Sequence, residues 1–192
     1  MNERNLSSRF LRQNGDYAIS ELKVEMEKEI SLLLEWENDI SIRHLQFVNR
    51  SEEEFKKHRI TRENILKRLN RFNDSGKGFL WVVFYLERPV GLLTAQIDPE
   101  PLLRKIPGTF WPSIVIGDPA ARGKGVAKQA MKWCEEFALE NGCGRIEIGV
   151  FEFNMVAFNL YKSLGYREFA RTEDFTWWNG KMYADIRMEK EI

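Results

Sequence analysis

One stretch of this chain, residues 113–151, restricts the fold more than any other. It runs from a short apolar strand through a basic, glycine-bearing loop into a long helix and out into an alternating strand. The first strand, residues 113–116, is stopped by Gly117-Asp118-Pro119. Val126, Ala130, Trp133 and Phe137 then form one helical ridge, and Ala127, Met131, Cys134 and Ala138 form the next. Lys128, Lys132, Glu136 and Glu140 fall on the opposite side. Asn141-Gly142 ends the helix, and residues 145–151 alternate Ile146, Ile148 and Val150 as a strand does. A strand–helix–strand unit of this kind is a right-handed crossover, which makes its two strands parallel.

The flanking sequence adds antiparallel strands. Residues 79–86 are almost wholly apolar, which predicts a strand buried on both faces. Glu87-Arg88-Pro89 predicts a turn and residues 90–97 the returning partner. Residues 166–177 and 182–188 read as a hairpin about Asn179-Gly180. Upstream, residues 25–37 have helical periodicity through Ile30, Leu33 and Leu34 with Trp36 alongside. Asp39 is placed to cap a short helix reaching His44, and Ile65, Leu66, Leu69 and Phe72 mark the buried stripe of a charge-dense helix. Residues 18–23 fit a short strand and residues 99–108 a loop. A further helix is expected over residues 154–164, ended by Gly165. The expected fold is α/β (α+β): a mixed, mostly antiparallel central sheet with one parallel central pair, flanked by helices. Residues 1–17 read as a polar N-terminal arm and residues 18–192 as a single domain.

Charge and cysteine content remove several functions. Twenty-nine basic residues balance twenty-nine acidic ones, so the broad positive field of a nucleic-acid binder is missing. Cys134 and Cys143 make no CxxC pair and lie far in sequence from His44 and His58, so no metal site is expected. Neither a leader pattern nor an apolar run of about 18 residues occurs. The expectation is a cytoplasmic protein with reduced thiols and no nucleic-acid or membrane partner. Oligomeric state is open, a homodimer included.

The loop Arg122-Gly123-Lys124-Gly125-Val126-Ala127 carries the chemistry. Two glycines let the backbone turn its N–H groups to one side, and the helix that follows adds the positive end of its dipole. Arg122 and Lys124 place charge at the rim. Such a loop suits a pyrophosphate, although a plain glycine turn has the same composition. A P-loop is excluded because no Gly-Lys-Ser/Thr follows at the required spacing. A dinucleotide fingerprint is excluded because Lys128 stands where the third glycine belongs.

Residues 114–127, Ile114-Val115-Ile116-Gly117-Asp118-Pro119-Ala120-Ala121-Arg122-Gly123-Lys124-Gly125-Val126-Ala127, resemble the acetyl-CoA motif of the GNAT superfamily of N-acetyltransferases, Gln/Arg-x-x-Gly-x-Gly/Ala. Arg122, Gly125 and Ala127 fill its three fixed positions. Asn154, Ala157, Leu160, Tyr161, Gly165 and Tyr166 are similar to the second motif of that family, Asn-x-x-Ala-x-x-Leu-Tyr-x-x-x-Gly-Phe/Tyr. The resemblance implies transfer of an acetyl group from acetyl-CoA to a small-molecule or peptide amine, by direct attack in a ternary complex. It implies that Ile114, Val115 and Ile116 line the pantetheine arm, that residues 122–127 hold the pyrophosphate, and that Asn154 contacts pantetheine or organises the site. Read without the resemblance, Asn154 is simply a helix N-cap.

Two protons must move. The leaving thiol, with a pKa of about 8.5, departs more easily with a donor beside it. The resemblance assigns that role to Tyr161, which also fits a buried helix face with Ala157, Leu160 and Leu164. The attacking amine, with a pKa of about 10, must lose a proton. One branch of the family has a Glu five residues before the motif Asn, where this chain has Gly149. Glu147, on the same strand face, is the first candidate for the base and Asp118 the second. Asn159 reads as a surface amide. Trp177, Trp178 and Tyr183 could wall a substrate pocket or pack across strands. Trp36, with Glu35 and Glu37, stands where relatives contact their acceptor. A catalytically silent acyl-CoA-binding module is the alternative reading.

Overall fold

In the computed structural model, which describes residues 10–192, the apolar run at the centre of the chain becomes the centre of an eight-stranded sheet. β3 (Gly78–Tyr85) is buried from Leu80 to Phe84, as its unbroken apolar sequence requires. It pairs antiparallel with β4 (Arg88–Ile97). β1 (Arg12–Asn14) and β2 (Tyr17–Glu21) extend this edge. β5 (Thr109–Ile116), β6 (Arg145–Phe151), β8 (Lys181–Glu191) and β7 (Arg167–Trp178) complete the order β1-β2-β3-β4-β5-β6-β8-β7. Every pair is antiparallel except β5–β6. The mixed sheet with one parallel pair is the expected architecture.

Helices cover both faces. α5 (Val126–Glu140) and α6 (Met155–Ser163) share one core with the inward residues of β3 to β8, including Trp81, Phe110, Met131, Cys134, Ile146, Ile148 and Tyr161. α1 (Glu27–Asn38) and α4 (Arg62–Ser75) pack Ile30, Leu33, Trp36, Ile65 and Leu69 against Leu80, Val82 and Phe84 on the other face. The short α2 (Ile40–Arg43) and α3 (Glu52–Lys57) lie between them in sequence. Asp39 caps α2 by accepting from Ser41 N at 2.8 Å, as its position predicts.

Two details differ from expectation. Part of the expected arm is structured: residues 12–14 form β1, and Tyr17 opens β2. Ion pairing explains why no apolar alternation announces this hairpin, because Arg12 pairs with Glu140 on the outer side of α5 and lies 4.7 Å over the Phe137 ring. Residues 1–9 of that arm lie outside the described residues. Second, β5 begins at Thr109 rather than at residue 113, and Pro112 lies just past its last pair with β6. β5 and β6 pair only at Thr109↔Arg145 and Phe110↔Ile146. Beyond that point residues 111–116 remain paired to β4 and residues 147–151 to β8, and the sheet opens into a slit between them.

Candidate active site

The glycine loop stands at the wide end of this slit. Asp118 caps the 3-10 turn Pro119–Ala121 by accepting from Ala120 N at 2.9 Å. Arg122 does not reach outward as a free rim charge. Its Nε donates to the Ile116 carbonyl at 3.1 Å and its Nη2 to the Gly117 carbonyl at 3.0 Å, so it fastens the loop to the end of β5. Gly123 and Gly125 have φ of 71° and 79°, the left-handed region that only glycine enters freely. Gly125 is the N-cap of α5 and supplies no side-chain cap, so the first-turn N–H groups lack the acceptor that Ser or Asp would provide. A Cβ built on Gly123 would meet nothing within 4 Å. Uncapped donors, a helix dipole and open approach to the backbone suit a phosphate, with Lys124 exposed beside them.

Tyr17, which sequence reasoning missed, supports the loop from β2. Its hydroxyl donates to the Lys124 carbonyl at 2.9 Å and lies 3.3 Å from where a Cβ on Gly125 would stand. Over a hundred residues separate it from the loop, and nothing local in the sequence marks it. Trp36 is another support: it lies directly over Gly117, where any Cβ would collide with the indole at 2.1 Å.

The two faces of the slit differ in chemistry. On the α5–α6 face, Asn154 caps α6 by accepting from Ala157 N at 3.2 Å. Tyr161 is 7% exposed and its hydroxyl bonds to no described residue. Burial pushes its pKa up to about 12, with Cys134 beside it acting in the same direction, so the phenol stays protonated and able to donate. Asn159 is exposed, as expected of a surface amide.

On the opposite face the structure places Glu147 in a structural role. It is fully buried. Oε2 accepts from Arg145 Nη2 at 2.9 Å, while Oε1 accepts from Leu103 N at 2.9 Å and from Arg187 Nη1 at 3.3 Å. Both oxygens of Glu147, the first candidate for the base, are committed to pinning the loop over residues 98–108 onto β6. Arg187 also donates to the Pro101 carbonyl and pairs with Asp185. Glu37, expected with Trp36 and Glu35 where relatives contact their acceptor, is likewise buried. Burial raises its pKa, opposed by its partner Arg68 at 2.6 Å.

Aromatic residues gather on the tip of the β7–β8 hairpin and the segments beside it. Trp178 stacks on His44 with centroids 3.9 Å apart and meets Phe55 edge-on, and Phe153 meets Tyr183 at 4.9 Å. Trp177 N donates to the Asn49 carbonyl at 2.7 Å. Of the two uses open to Trp177, Trp178 and Tyr183, the contacts observed are packing ones, and they reach His44 and Phe153 in segments that the sequence did not connect to the hairpin.

Comparison with known proteins fits this geometry. The acetyltransferase (GNAT) family model matches residues 40–166, and the chain belongs to that family. Over 96 residues it is 33% identical to an N-acetylaspartate synthetase of Danio rerio, covering 50% of this chain and 32% of that protein. Over 55 residues it is 36% identical to a thialysine N-epsilon-acetyltransferase of Sus scrofa, covering 29% and 32%. The matched stretches thus span about a third of the length of these curated relatives. Among solved structures, an acetyltransferase from Salmonella typhimurium bound to acetyl-CoA superposes with a TM-score of 0.73 at 16% identity, covering 92% of this chain and 94% of that one. A spermidine N-acetyltransferase from Vibrio cholerae, bound to CoA and spermine, gives 0.73 at 17%, covering 93% and 96%. Identities this low show the shared fold and nothing finer.

Proposed function

We propose that this chain transfers the acetyl group of acetyl-CoA to a primary alkyl amine by direct attack in a ternary complex. The observation that carries the reading is the alignment of the uncapped glycine loop with a slit whose strand edges have no neighbour. Residues 122–127 would hold the pyrophosphate on backbone N–H groups. The pantetheine arm, which is amide-bearing and extended, would pair with the free edge of Ile114, Val115 and Ile116 as an added strand does. Asn154 would keep the N-terminus of α6 in place beside it. Acetyl-CoA supplies an activated thioester, and positioning the two reactants would account for much of the acceleration. Tyr161, protonated and without a protein acceptor, would donate to the departing sulfur.

A primary alkyl amine is the acceptor class supported by the names of the relatives, which act on thialysine and spermidine. The two buried, unpaired cysteines suit a reducing compartment, so the reading places the activity in the cytoplasm. The experiment measures free thiol released from acetyl-CoA with spermidine, thialysine and short peptides, for wild type and Tyr161→Phe. The expected result is turnover with at least one amine and a 10- to 1,000-fold lower kcat in the variant, about the range of lost general-acid help. Binding of acetyl-CoA without turnover of any amine would favour the silent acyl-CoA-binding module instead.

A further inference from the structure

With Glu147 committed to Arg145, Arg187 and Leu103, the slit needs another carboxylate to take the proton of the amine, and the structure offers one from β8. Asp185 is opposite Phe151 in the β6–β8 register, and Gly149 is opposite Arg187. Directly opposed residues of an antiparallel pair share a face, so Asp185 and Gly149 are on the same face of the sheet. Gly149 has no side chain, and the space a Cβ would enter is already occupied. Asp185 Oδ1 would be 3.1 Å from that Cβ, the Trp111 ring 3.4 Å and Arg187 Nε 3.5 Å.

The two oxygens of Asp185 are unequal. Oδ2 accepts from Arg187 Nε, while Oδ1 bonds to no described residue. A buried carboxylate normally has both oxygens satisfied, as Glu147 does two residues before Gly149 on the same face. Asp185 is 3% exposed, and its uncommitted oxygen lies over the one residue of the slit edge that has no side chain. Tyr161 approaches β6 from the other face, in the core formed with Ile146, Ile148 and Val150. Donor and carboxylate thus flank the slit from opposite sides.

We propose that Asp185 is the proton acceptor for the attacking amine, an assignment that rests on the acetyl-transfer reading. The ammonium form of the acceptor gives one proton to Asp185 Oδ1, directly or across one water. The free nitrogen lone pair then forms a bond to the thioester carbonyl carbon, the C–S bond breaks, and the sulfur is protonated from the side of Tyr161. The products are an amide and the free thiol. The second proton of the attacking nitrogen leaves through Asp185 to solvent, and Tyr161 regains its own from solvent. Arg187 keeps Asp185 oriented with Oδ1 toward the slit. The other charges on this face include Glu147 and Arg145 of β6, Lys181, Glu189 and Glu191 of β8 and Arg167 of β7, with Arg104 of the preceding loop on Glu189. β7 places the neutral Thr172 opposite Asp185.

The experiment uses the full chain with acetyl-CoA and the best amine from the thiol-release panel. Asp185→Asn should lower kcat by about 10- to 100-fold near neutral pH, and the defect should shrink as pH approaches the pKa of the amine. Calorimetric affinity for acetyl-CoA should be unaltered in the same variant, which separates lost chemistry from lost structure. Because Asp185→Asn could disturb Arg187, a relocation pair provides an independent test. Gly149→Asp added to Asp185→Ala returns a carboxylate to the same space from the neighbouring strand and should recover at least tenfold of the lost turnover. Turnover by wild type with an unmoved Asp185→Asn profile would overturn this assignment alone. So would failure of relocation in a protein that still binds acetyl-CoA. Absence of turnover in wild type would overturn the acetyl-transfer reading and this assignment with it.

Discussion

Tyr17 shows how much of the site depends on single contacts made across the sheet. Its ring stacks on Tyr85 with centroids 5.5 Å apart, so it is held independently of its hydroxyl, and the hydroxyl has one partner, the Lys124 carbonyl. Tyr17→Phe removes that bond and leaves the stack. A single neutral hydrogen bond contributes about 0.5–1.5 kcal/mol, which corresponds to roughly a 2- to 12-fold weaker hold on whatever the loop binds. The expected outcome is a rise of that size in Kd for acetyl-CoA by calorimetry, with kcat at saturation nearly unchanged. A lower kcat at unchanged Kd would contradict the assignment. Neither Tyr17 nor Asp185 was legible in the sequence, because Tyr17 reaches a loop over a hundred residues away and Asp185 lies against Gly149 of a neighbouring strand. The glycine loop was legible because its function is local: the residues that make the turn are also the residues that present the donors. Glu147 lies between these cases. Alternation placed it on the correct face, but its fate is decided by Arg187, forty residues on, and by a loop amide that no period reports.

At the scale of elements, the segment carrying α2 and α3 is fastened to the β7–β8 hairpin. Asn49 N donates to Thr176 Oγ1 at 3.1 Å, and the buried Arg43 donates to the carbonyls of Phe55 and His58 at 2.6 and 2.9 Å. His44 completes the join by stacking on Trp178. Burial pushes the His44 pKa down, the Ile40 carbonyl partly opposing, and burial also lowers His58, with Arg43 and Arg59 adding to the effect. A depressed histidine pKa means that the folded state prefers the neutral ring. Its contribution to stability is therefore complete above the unfolded value, about 6.5, and is lost as pH falls through the lower folded value. Wild type should lose melting temperature more steeply between pH 7 and pH 5 than His44→Phe, which keeps an aromatic ring against Trp178 and cannot titrate. Parallel curves for the two proteins would refute this role for His44. The sequence announced the hairpin through Asn179-Gly180 and the α2 cap through Asp39. It did not announce their contact, because stacking between distant aromatics has no periodicity.

Across the whole molecule, the sheet is two sub-sheets, β1–β5 and β6–β8-β7, joined edge to edge by only two residue pairs. α5 also ties them, since it packs on both from the face where its two ridges are buried. A ligand lying in the slit would add a third connection by satisfying backbone groups on β5 that now face no strand. By ligand linkage, acetyl-CoA at about 100 times its Kd should stabilise the fold by about 2.7 kcal/mol. For a chain of this size that is a rise in Tm of roughly 5–10 °C. The position of the stabilisation is the sharper test. Amide hydrogen exchange should slow over residues 111–116 and 147–151 when acetyl-CoA is present, in addition to slowing over residues 122–127. Adenosine 3′,5′-diphosphate lacks the pantetheine arm, so it should protect the glycine loop and leave the two slit edges exchanging as they do in the free protein. Equal protection of the slit by both ligands would mean that the pantetheine arm does not lie there. The open β5–β6 edge would then need an explanation other than cofactor binding.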